Sequence, residues 1–503
     1  MSESFDSPLS SEITVERLLV LLAARDAVIE QQAQAIVELT AQVAALQARL
    51  GQNPRNSSRP PSSEGYGKPA PRSQRRSSGR RPGGQDGAPG TTLRQVSEPD
   101  RVVEHAPAVC GGCGAGLAAA PVVSCEARQL FDLPPIALQV VEHRLQHRRC
   151  GCGTVTMAGP VDGVPAGVGA PAQYGPGVRA VATYLAGAQH LPLARTADTL
   201  ADLLGAPVSV GTVAAMLQQA AAGLGPFTEA VRGQLAASPV VHFDETGLRV
   251  DGALAWVHSA STDTLTQVTV HPRRGIVAMQ AAGVLPALDG VAVHDGWKPY
   301  RHYDRDPTTG RGVVHGLCNA HHLRELTAVS EAAAGDGTSA AAGSAGSQDW
   351  AGAMSRLLVE IHHTVRSGRN LGAGALSAAL LATYQTRYDA IITAGHGQNP
   401  ATAGRRNSKA VNLLNRLDTQ RADVLRFASD WTVPFDNNLA ERDIRMVKIR
   451  QKISGCLRTT AGAEAFCALR SYLSTACKQG HNALDVLRQL TDGQPWIPDP
   501  RTC

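Results

Sequence analysis

Residues 240–247 read Val-Val-His-Phe-Asp-Glu-Thr-Gly, and residues 291–297 read Val-Ala-Val-His-Asp-Gly-Trp. Each stretch is a short apolar run of the kind found in β-strands, and each run ends in an aspartate, Asp244 or Asp295. A carboxylate at a strand end is costly to desolvate unless it binds a cation or hydrogen-bond donors. The two stretches therefore predict a sheet that presents two carboxylates at the ends of strands.

Further strands and helices are predicted around these two runs. Residues 253–260 and 264–270 are strand-like, and Asp251-Gly252 predicts a tight turn before the first of them. The Gly-, Ala- and Ser-rich stretch 332–346 predicts a mobile loop, and residues 349–428 have a helical pattern. The chain is thus expected to contain a mixed α/β domain with a helical segment.

A third carboxylate is predicted to lie on a helix. The polar residues Asp436-Asn437-Asn438 favour a helix start, with Asp436-Asn437 as the cap. One face of the helix is apolar: Ala440, Ile444 and Val447. Another face carries the carboxylate of Glu441 and two cations, Arg445 and Lys448. We expect the two cations to contact DNA.

Two aspartates at strand ends and a glutamate on a helix are the ligands that a two-metal phosphoryl-transfer site requires. Oxygen ligands of this kind suit Mg²⁺ or Mn²⁺. Each residue also has an ordinary structural explanation. Asp244 could be a hydrogen-bonded strand end, Asp295-Gly296 a turn, and Glu441–Arg445 a surface ion pair.

Four motifs occur in a fixed order along the chain. They are His242-Phe-Asp244-Glu-Thr246-Gly, Val293-His-Asp295-Gly-Trp297, Leu317-Cys-Asn319-Ala-His321-His322-Leu-Arg324-Glu325-Leu and Asp436-Asn-Asn438-Leu-Ala440-Glu441-Arg442. In this order they resemble the core motifs of the insertion-sequence-sixty-six family of bacterial DDE transposases. The run from Asn53 to Ser63 and the cysteine pairs described below resemble further parts of that family.

The resemblance implies a ribonuclease-H-like mixed α/β core with a helical insertion before the glutamate. It also implies that Asp244, Asp295 and Glu441 form a catalytic, metal-binding triad. A transposase of this family is expected to bind the terminal inverted repeats of an insertion sequence as double-stranded DNA. It would cut and join DNA with Mg²⁺ or Mn²⁺, with accessory proteins of the same element as possible partners.

Residues 15–50 carry a seven-residue repeat that predicts a coiled coil. The first seam position is apolar throughout: Val15, Leu22, Ile29, Ile36, Val43 and Leu50. The second is apolar except at Arg25 and Gln32. We expect this segment to pair protomers into a homo-oligomer, the alternative being one amphipathic helix packed on its own chain.

Residues 51–94 predict a disordered basic arm, because half of the segment is Pro, Gly or Ser. Nine Lys or Arg residues against two acidic ones give it a net charge of +7, more than the +5 of the whole chain. We expect contact with DNA through its central arginines, whereas a solvated linker is the alternative. Those arginines are Arg72, Arg75, Arg76, Arg80 and Arg81.

Residues 96–160 contain two cysteine pairs, Cys110/Cys113 and Cys150/Cys152. Two short Cys turns can supply the four thiolates of a structural Zn²⁺ site, although ordinary buried cysteines are the alternative. A strand is predicted at 137–141 between the pairs, and Cys125 is left over.

Residues 193–213 resemble a helix-turn-helix within a region, 175–235, that has a helical pattern. Gly205 would end the first helix and Ser209 would cap the second. The segment could read DNA or simply pack. Cys318, His321 and His322 have three explanations: a metal site, the start of a helix with buried histidines, or contact of the histidines with DNA phosphate.

We expect a multidomain α+β protein whose compartment is the bacterial cytoplasm, associated with the nucleoid. The longest apolar run near the start, 18–24, is too short to span a membrane and lacks the basic start of a signal peptide. The expected regions are a coiled coil (1–50), a basic arm (51–95), a zinc module (96–160), a helix-turn-helix-like region (161–235), a first core part (236–330), a helical insertion (331–430), a last core part (431–485) and a tail (486–503).

Two other functions remain open from the sequence. A nuclease of the same fold would cut DNA without joining strands. A repressor or an inactive transposase would bind DNA without cutting, and such a protein has no use for three ordered carboxylate motifs.

Overall fold

The structure is a computed structural model that describes residues 15–50, 93–134, 136–165, 167–335, 349–400 and 407–500. The chain divides into two compact units, one mainly of residues 73–220 and one mainly of residues 221–486.

Helix α1 (Val15–Leu50) is a single helix of 36 residues, which confirms the predicted helix. The large apolar side chains that are described on it are all about half exposed or more: Leu19, Leu22, Val28, Ile29, Ile36, Val37, Leu39, Val43 and Leu46. The basic arm that was predicted to follow lies outside the described residues, apart from its last two.

The first two strands of the smaller unit, β1 (His147–Arg149) and β2 (Val155–Met157), form an antiparallel hairpin. The strand predicted at 137–141 is wrong, because this stretch pairs with no other strand and its Leu138, Val140 and Val141 side chains are exposed. Helix α2 (Pro176–Thr183) continues as a π-helical turn, and α3 (Leu193–Leu204) and α4 (Val210–Ala222) follow.

The turn between α3 and α4 has the predicted local chemistry. Gly205 adopts a left-handed conformation (φ 62°) and its amide bonds to Ala201 at the end of α3. Ser209 Oγ accepts a hydrogen bond from the Thr212 amide at the start of α4. The pair packs around a small core that includes Leu200, Val213 and Met216.

The larger unit contains a five-stranded mixed sheet in the order β5-β4-β3-β6-β7. The strands are β3 (Val240–Val250), β4 (Ala253–Ser261), β5 (Thr266–His271), β6 (Val291–His294) and β7 (Val314–Leu317). Strand β3 pairs antiparallel with β4 and parallel with β6, and β6 pairs parallel with β7. Four of the strands were predicted, and β7 was missed.

Further helices follow α4 in the described ranges. They are α5 (Gly225–Ala236), α6 (Ile276–Ala282), α7 (Asn319–Gly335), α8 (Asp349–Asn370), α9 (Ala378–Gln398), α10 (Lys409–Thr419), α11 (Arg421–Val424), α12 (Arg426–Ser429), α13 (Asn438–Ser454), α14 (Thr460–Lys478) and α15 (Ala483–Thr491). Short 3₁₀ helices occupy Pro160–Asp162, Leu285–Ala287 and Lys298–Tyr303.

Among the described residues of the larger unit, two hydrophobic clusters pack against its helices. Helices α8–α12 enclose one of them around Trp350, Tyr388 and Leu414. The other lies between the sheet and helices α13 and α14, where Val257, Val447 and Phe466 meet. The loop predicted at 332–346 is corrected at its start, because α7 extends to Gly335, and the rest lies outside the described residues.

Candidate active site

Asp244 and Asp295 lie at one edge of the parallel pair β3–β6. Strand β3 pairs with β6 only as far as His242, and Asp295 follows β6 directly. Parallel strands bring their carboxyl ends to the same side of a sheet, so both aspartates point from this edge. The prediction that Asp244 ends its strand is wrong, because β3 continues beside β4 to Val250.

A buried asparagine fixes the start of α13 against β3. The Asn437 side chain donates to the Phe243 carbonyl (2.7 Å), and its Oδ1 lies 2.8 Å from His242 Nδ1. Its side chain therefore does not cap α13 as predicted; Asp436 Oδ1 instead accepts from the Asn438 amide (3.0 Å). These contacts hold the first turn of α13, which carries Glu441, beside the strand that carries Asp244.

The electrostatics of Asp244 reflect burial and the charges of other carboxylates. Among the described residues, the ligand atoms of Asp244, Asp295 and Glu441 do not form one cluster within 4.8 Å. Burial raises the pKa of Asp244 well above its usual range, and the negative charges of Glu245, Asp295 and Glu441 raise it further. Such a concentration of negative charge favours either a bound proton or a bound cation.

Glu245 is a fourth carboxylate that the sequence did not identify. Its side chain is 2% exposed, and it accepts hydrogen bonds from Arg274 (2.6 Å) and the Tyr300 hydroxyl (2.8 Å). Burial and Asp295 raise the pKa of Glu245, whereas the Arg274 hydrogen bond lowers it. Both of its oxygens are engaged, so Glu245 contributes charge to the site rather than a free ligand.

Arg274 is held between two aromatic rings. Its guanidinium carbon lies 4.5 Å from the Trp256 ring centroid and 3.8 Å from that of Trp297. Because Trp297 also follows the Asp295-Gly296 turn, this stack supports the backbone beside Asp295. No local sequence pattern joins residues 245, 274 and 297, so only the tertiary structure identifies it.

Cations from two helices approach the carboxylates. Arg324 on α7 lies 3.9 Å from Glu441 Oε2. His321 Nδ1 also lies 3.8 Å from Glu441 Oε1, but burial lowers the pKa of this histidine and favours its neutral form. Arg416 on α10 forms an ion pair with Glu325, and its charge interacts with Asp295. Helix α10, which lies in the helical region between β7 and α13, therefore contributes a positive charge to the site. The sequence of that region did not indicate this role.

Within the described ranges, one group of three metal-ligating side chains lies close together: Cys318, His321 and Glu441, whose ligand atoms are within 4.8 Å of one another. The Cys318 sulfur already accepts a hydrogen bond from the Asn437 amide, and burial raises the pKa of this thiol to about 12. A thiolate here is costly. Glu441 Oε1, by contrast, is buried with no hydrogen-bond partner and is suited to a hard cation.

Comparison with known families gives the family of the chain. The family model described as Transposase IS66 family matches residues 171–465, more than half of the chain. The chain belongs to the IS66 transposase family. A second family model, for a family of unknown function, matches residues 10–94. No curated protein matches the chain.

The transposase has two separate cysteine turns in its smaller unit. In each turn the first cysteine amide bonds to a carbonyl beyond the second cysteine, from Cys110 to Ala115 and from Cys150 to Thr154 (both 2.8 Å). Hydrogen bonds, chiefly from Thr154, lower the pKa of Cys152 to about 7. The structure does not bring ligand atoms of the two turns together as one cluster among the residues it describes.

The predicted DNA contacts of the transposase differ in their surroundings. Arg445 is exposed on α13, whereas Lys448 Nζ donates to the Gly247 carbonyl (2.6 Å) and so fastens α13 to β3. The predicted arginines of the arm lie outside the described residues. None of the helices in the described ranges combines the length and the hydropathy of a membrane span.

Proposed function

We propose that this transposase binds the terminal inverted repeats of an insertion sequence and catalyses metal-dependent cleavage and strand transfer of DNA. Asp244, Asp295 and Glu441 are its catalytic carboxylates. The observation that carries the proposal is the shared electrostatic environment of these three side chains, which arrive from β3, the end of β6 and the first turn of α13.

A ribonuclease-H-like core is part of the proposal. Its support is the sheet order, in which β3 lies between an antiparallel pair on one side and a parallel pair on the other. Helix α13 packs on β3 and β4, and the helical segment α8–α12 separates it from β7 in the chain. In this proposal Asp244 and Asp295 act from the ends of the β3–β6 pairing, and Glu441 acts from the helix that packs on β3.

The three carboxylates fit divalent cations, Mg²⁺ or Mn²⁺. Burial and acidic neighbours raise the pKa of Asp244, and one buried oxygen of Glu441 has no hydrogen-bond partner, so a cation would relieve both costs. When bound, two such ions neutralise charge on a reacting phosphate and make water or a 3′-hydroxyl a better nucleophile.

The surrounding residues orient the carboxylates and present positive charge. The Trp297 amide donates to Asp295 Oδ1 (2.8 Å), and the Glu245 amide donates to Asp244 Oδ1 (2.9 Å). Arg324 and Arg416 place two guanidinium groups beside the acidic cluster, where a DNA phosphate would approach. Water would first cut the element end, and the freed 3′-hydroxyl would then attack target DNA.

The test uses DNA that carries the inverted repeats flanking the gene. Asp244→Asn and Glu441→Gln should abolish cleavage in Mg²⁺ while end binding persists, because each removes a ligand charge and leaves the backbone contacts in place. Glu464→Gln, an exposed carboxylate on α14, is the matched control and should cut normally. Near wild-type cleavage by Glu441→Gln would contradict the assignment.

The same assay separates the other two functions. Cleavage without strand-transfer product would indicate a nuclease of this fold. End binding by the wild-type protein with no cleavage in Mg²⁺ or Mn²⁺ would indicate a DNA-binding protein without catalysis, provided that accessory proteins of the element are also supplied.

The remaining regions receive supporting roles in the proposal. Cys110, Cys113, Cys150 and Cys152 hold one structural Zn²⁺, and α1 pairs protomers through its apolar repeat. The basic arm and Arg445 contact DNA phosphates, and the α3–α4 pair contributes to end recognition. The protein acts in the bacterial cytoplasm at the nucleoid.

A further inference from the structure

A chain of buried polar contacts lies behind Asp295. The Gly296 amide donates to His294 Nδ1 (3.0 Å), and His294 Nε2 lies 2.8 Å from His315 Nδ1. His315 Nε2 in turn lies 2.8 Å from a carboxylate oxygen of Asp304. His294 is 0% exposed and His315 is 3% exposed, whereas the Asp304 side chain is 53% exposed.

These contacts determine the tautomers of both imidazoles. His294 Nδ1 accepts a hydrogen bond from an amide, so this nitrogen carries no proton. The proton of neutral His294 therefore lies on Nε2 and is donated to His315 Nδ1. His315 must then carry its own proton on Nε2, the atom that faces Asp304. The opposite tautomer of His294 would set its N–H against the Gly296 N–H.

We propose that His294 and His315 are positioning residues that set the direction of the Asp295 carboxylate. The inference rests on the proposed role of Asp295 as a metal ligand. Gly296 has a left-handed conformation (φ 86°), and the next amide, that of Trp297, holds Asp295 Oδ1. Fixing the Gly296 amide therefore fixes the turn that aims the carboxylate.

The chain of contacts from His294 through His315 to Asp304, here called the histidine relay, approaches helices α11 and α12 at its Asp304 end. Arg301 lies 3.6 Å from Asp304 and 2.7 Å from Asp423 on α11. Asp423 also pairs with Arg426 on α12 (3.1 Å), and Arg426 Nε donates to the His315 carbonyl (3.2 Å). The histidine relay thus connects α11 and α12 with the turn that follows β6.

Tyr300 holds the imidazole ring of His294 in place. It stacks on His294 with ring centroids 4.2 Å apart, and its hydroxyl bonds to Glu245. Because the imidazole plane of His294 is clamped in this way, its two nitrogens face Gly296 and His315 in a fixed geometry. The histidine relay therefore fixes the orientation of the Gly296 turn and carries no charge to it.

Two variants of His315 separate positioning from simple packing. His315→Asn keeps an acceptor near the place of Nδ1, whereas His315→Leu leaves His294 Nε2–H buried with no partner. His302→Leu, at an exposed histidine of the same short helix as Tyr300, is the control. Binding of Mn²⁺ is measured by electron paramagnetic resonance on the full chain without DNA.

Loss of a residue that orients a metal ligand typically weakens metal binding by about 10- to 100-fold. We expect a weakening in this range for His315→Leu, a much smaller one for His315→Asn, and none for His302→Leu. In the wild-type protein labelled with ¹⁵N-histidine, His294 should show an unprotonated Nδ1 and a protonated Nε2. The signals are assigned by their loss in His294→Asn and His315→Asn.

Three results would overturn the inference. One is a protonated Nδ1 on His294 in the wild-type protein, and another is wild-type Mn²⁺ affinity in a folded His315→Leu variant. Equal weakening by the Asn and Leu variants would show that only packing is disturbed. Failure of the proposed function looks different, because wild-type protein would then bind no Mn²⁺ that Asp244→Asn removes, whatever the tautomers.

Discussion

At the scale of single residues, the site is a group of acidic side chains whose mutual repulsion is only partly compensated. Arg274 neutralises Glu245, and Arg324 lies near Glu441, but Asp244 accepts its hydrogen bond from a backbone amide alone among the contacts described. The compensation is therefore weakest at Asp244. This residue should show the energetic cost of the site most clearly.

Asp244→Asn should stabilise the metal-free protein at neutral pH. The folded-state pKa of Asp244 is raised, so the folded state binds more protons than the unfolded state between the usual and the raised value. Stability is then lost as the pH rises through this window, and asparagine removes the loss. We expect the variant to be more stable than the wild type at neutral pH, and the gain to disappear as the pH falls.

The measurement is urea denaturation in a chelator over a pH series. The difference between variant and wild type should vanish at acidic pH, below the usual carboxyl pKa, where Asp244 is neutral in both states. Saturating Mg²⁺ should stabilise the wild type only. Asp198→Asn, an exposed aspartate on α3, is the control. A less stable Asp244→Asn in chelator would show that the carboxylate is structural.

At the scale of elements, two local structures expose apolar or reactive groups to solvent. Helix α1 presents its apolar side chains to solvent along the whole described face, and the two cysteine turns present thiols. Exposed apolar stripes and paired thiols are costly or reactive unless another protomer or a metal ion covers them. Both elements are therefore the places where partners are expected.

Charges on the seam of α1 should separate protomers. Ile29→Asp with Ile36→Asp places carboxylates at two first-seam positions of the repeat, where burial in a coil is strongly unfavourable. Ala27→Asp with Gln34→Asp adds the same charge to the same helix away from the seam. Light scattering should show a lower mass for the first variant only. An unchanged mass would place self-association elsewhere.

Zinc content should depend on the paired cysteines and on no others. Purified wild-type protein should contain about one Zn²⁺ per chain, and Cys110→Ser or Cys150→Ser should lose it, because each removes one of four ligands. Cys125→Ser is the matched control in the same unit. Elemental analysis gives the result, and equal zinc in Cys110→Ser and Cys125→Ser would rule out the assigned ligands.

At the scale of the whole molecule, sequence patterns predicted the features that depend on residues close together in the chain. The Asp251-Gly252 turn, four strands, and the buried face of α13 (Ala440, Ile444 and Val447) are all present. The patterns did not reveal β7, in which only Val314 and Leu317 are apolar, or that β3 continues past its apolar part, because β4 supplies the pairing there.

The candidate site was predictable only where its residues lie in motifs. Asp244, Asp295 and Glu441 each follow a local signal, a strand or a helix start. Glu245–Arg274, Arg416 and the His294–His315 contact join residues that are 21 or more positions apart, with no periodic pattern between them. Such contacts depend on topology, which the sequence alone does not display.

The charge of the chain is distributed unevenly between one segment and the rest. The segment 51–94 carries +7 while the chain carries +5, so the remainder is close to neutral. A transposase must hold a polyanion while its acidic site receives a phosphate, and a separate basic arm would supply that attraction without lowering the charge of the site.

Replacing the five central arginines of the arm with glutamine should weaken binding to all DNA sequences about equally. The residues are Arg72, Arg75, Arg76, Arg80 and Arg81. For every DNA phosphate that the arm no longer neutralises, the slope of log affinity against log salt should fall by about 0.9, because fewer counterions are released. A scrambled arm of the same composition should keep the wild-type slope, since the attraction depends on charge rather than on order. Affinities measured by fluorescence anisotropy over a salt series decide the matter, and an unchanged slope in the glutamine variant would make the arm a solvated linker.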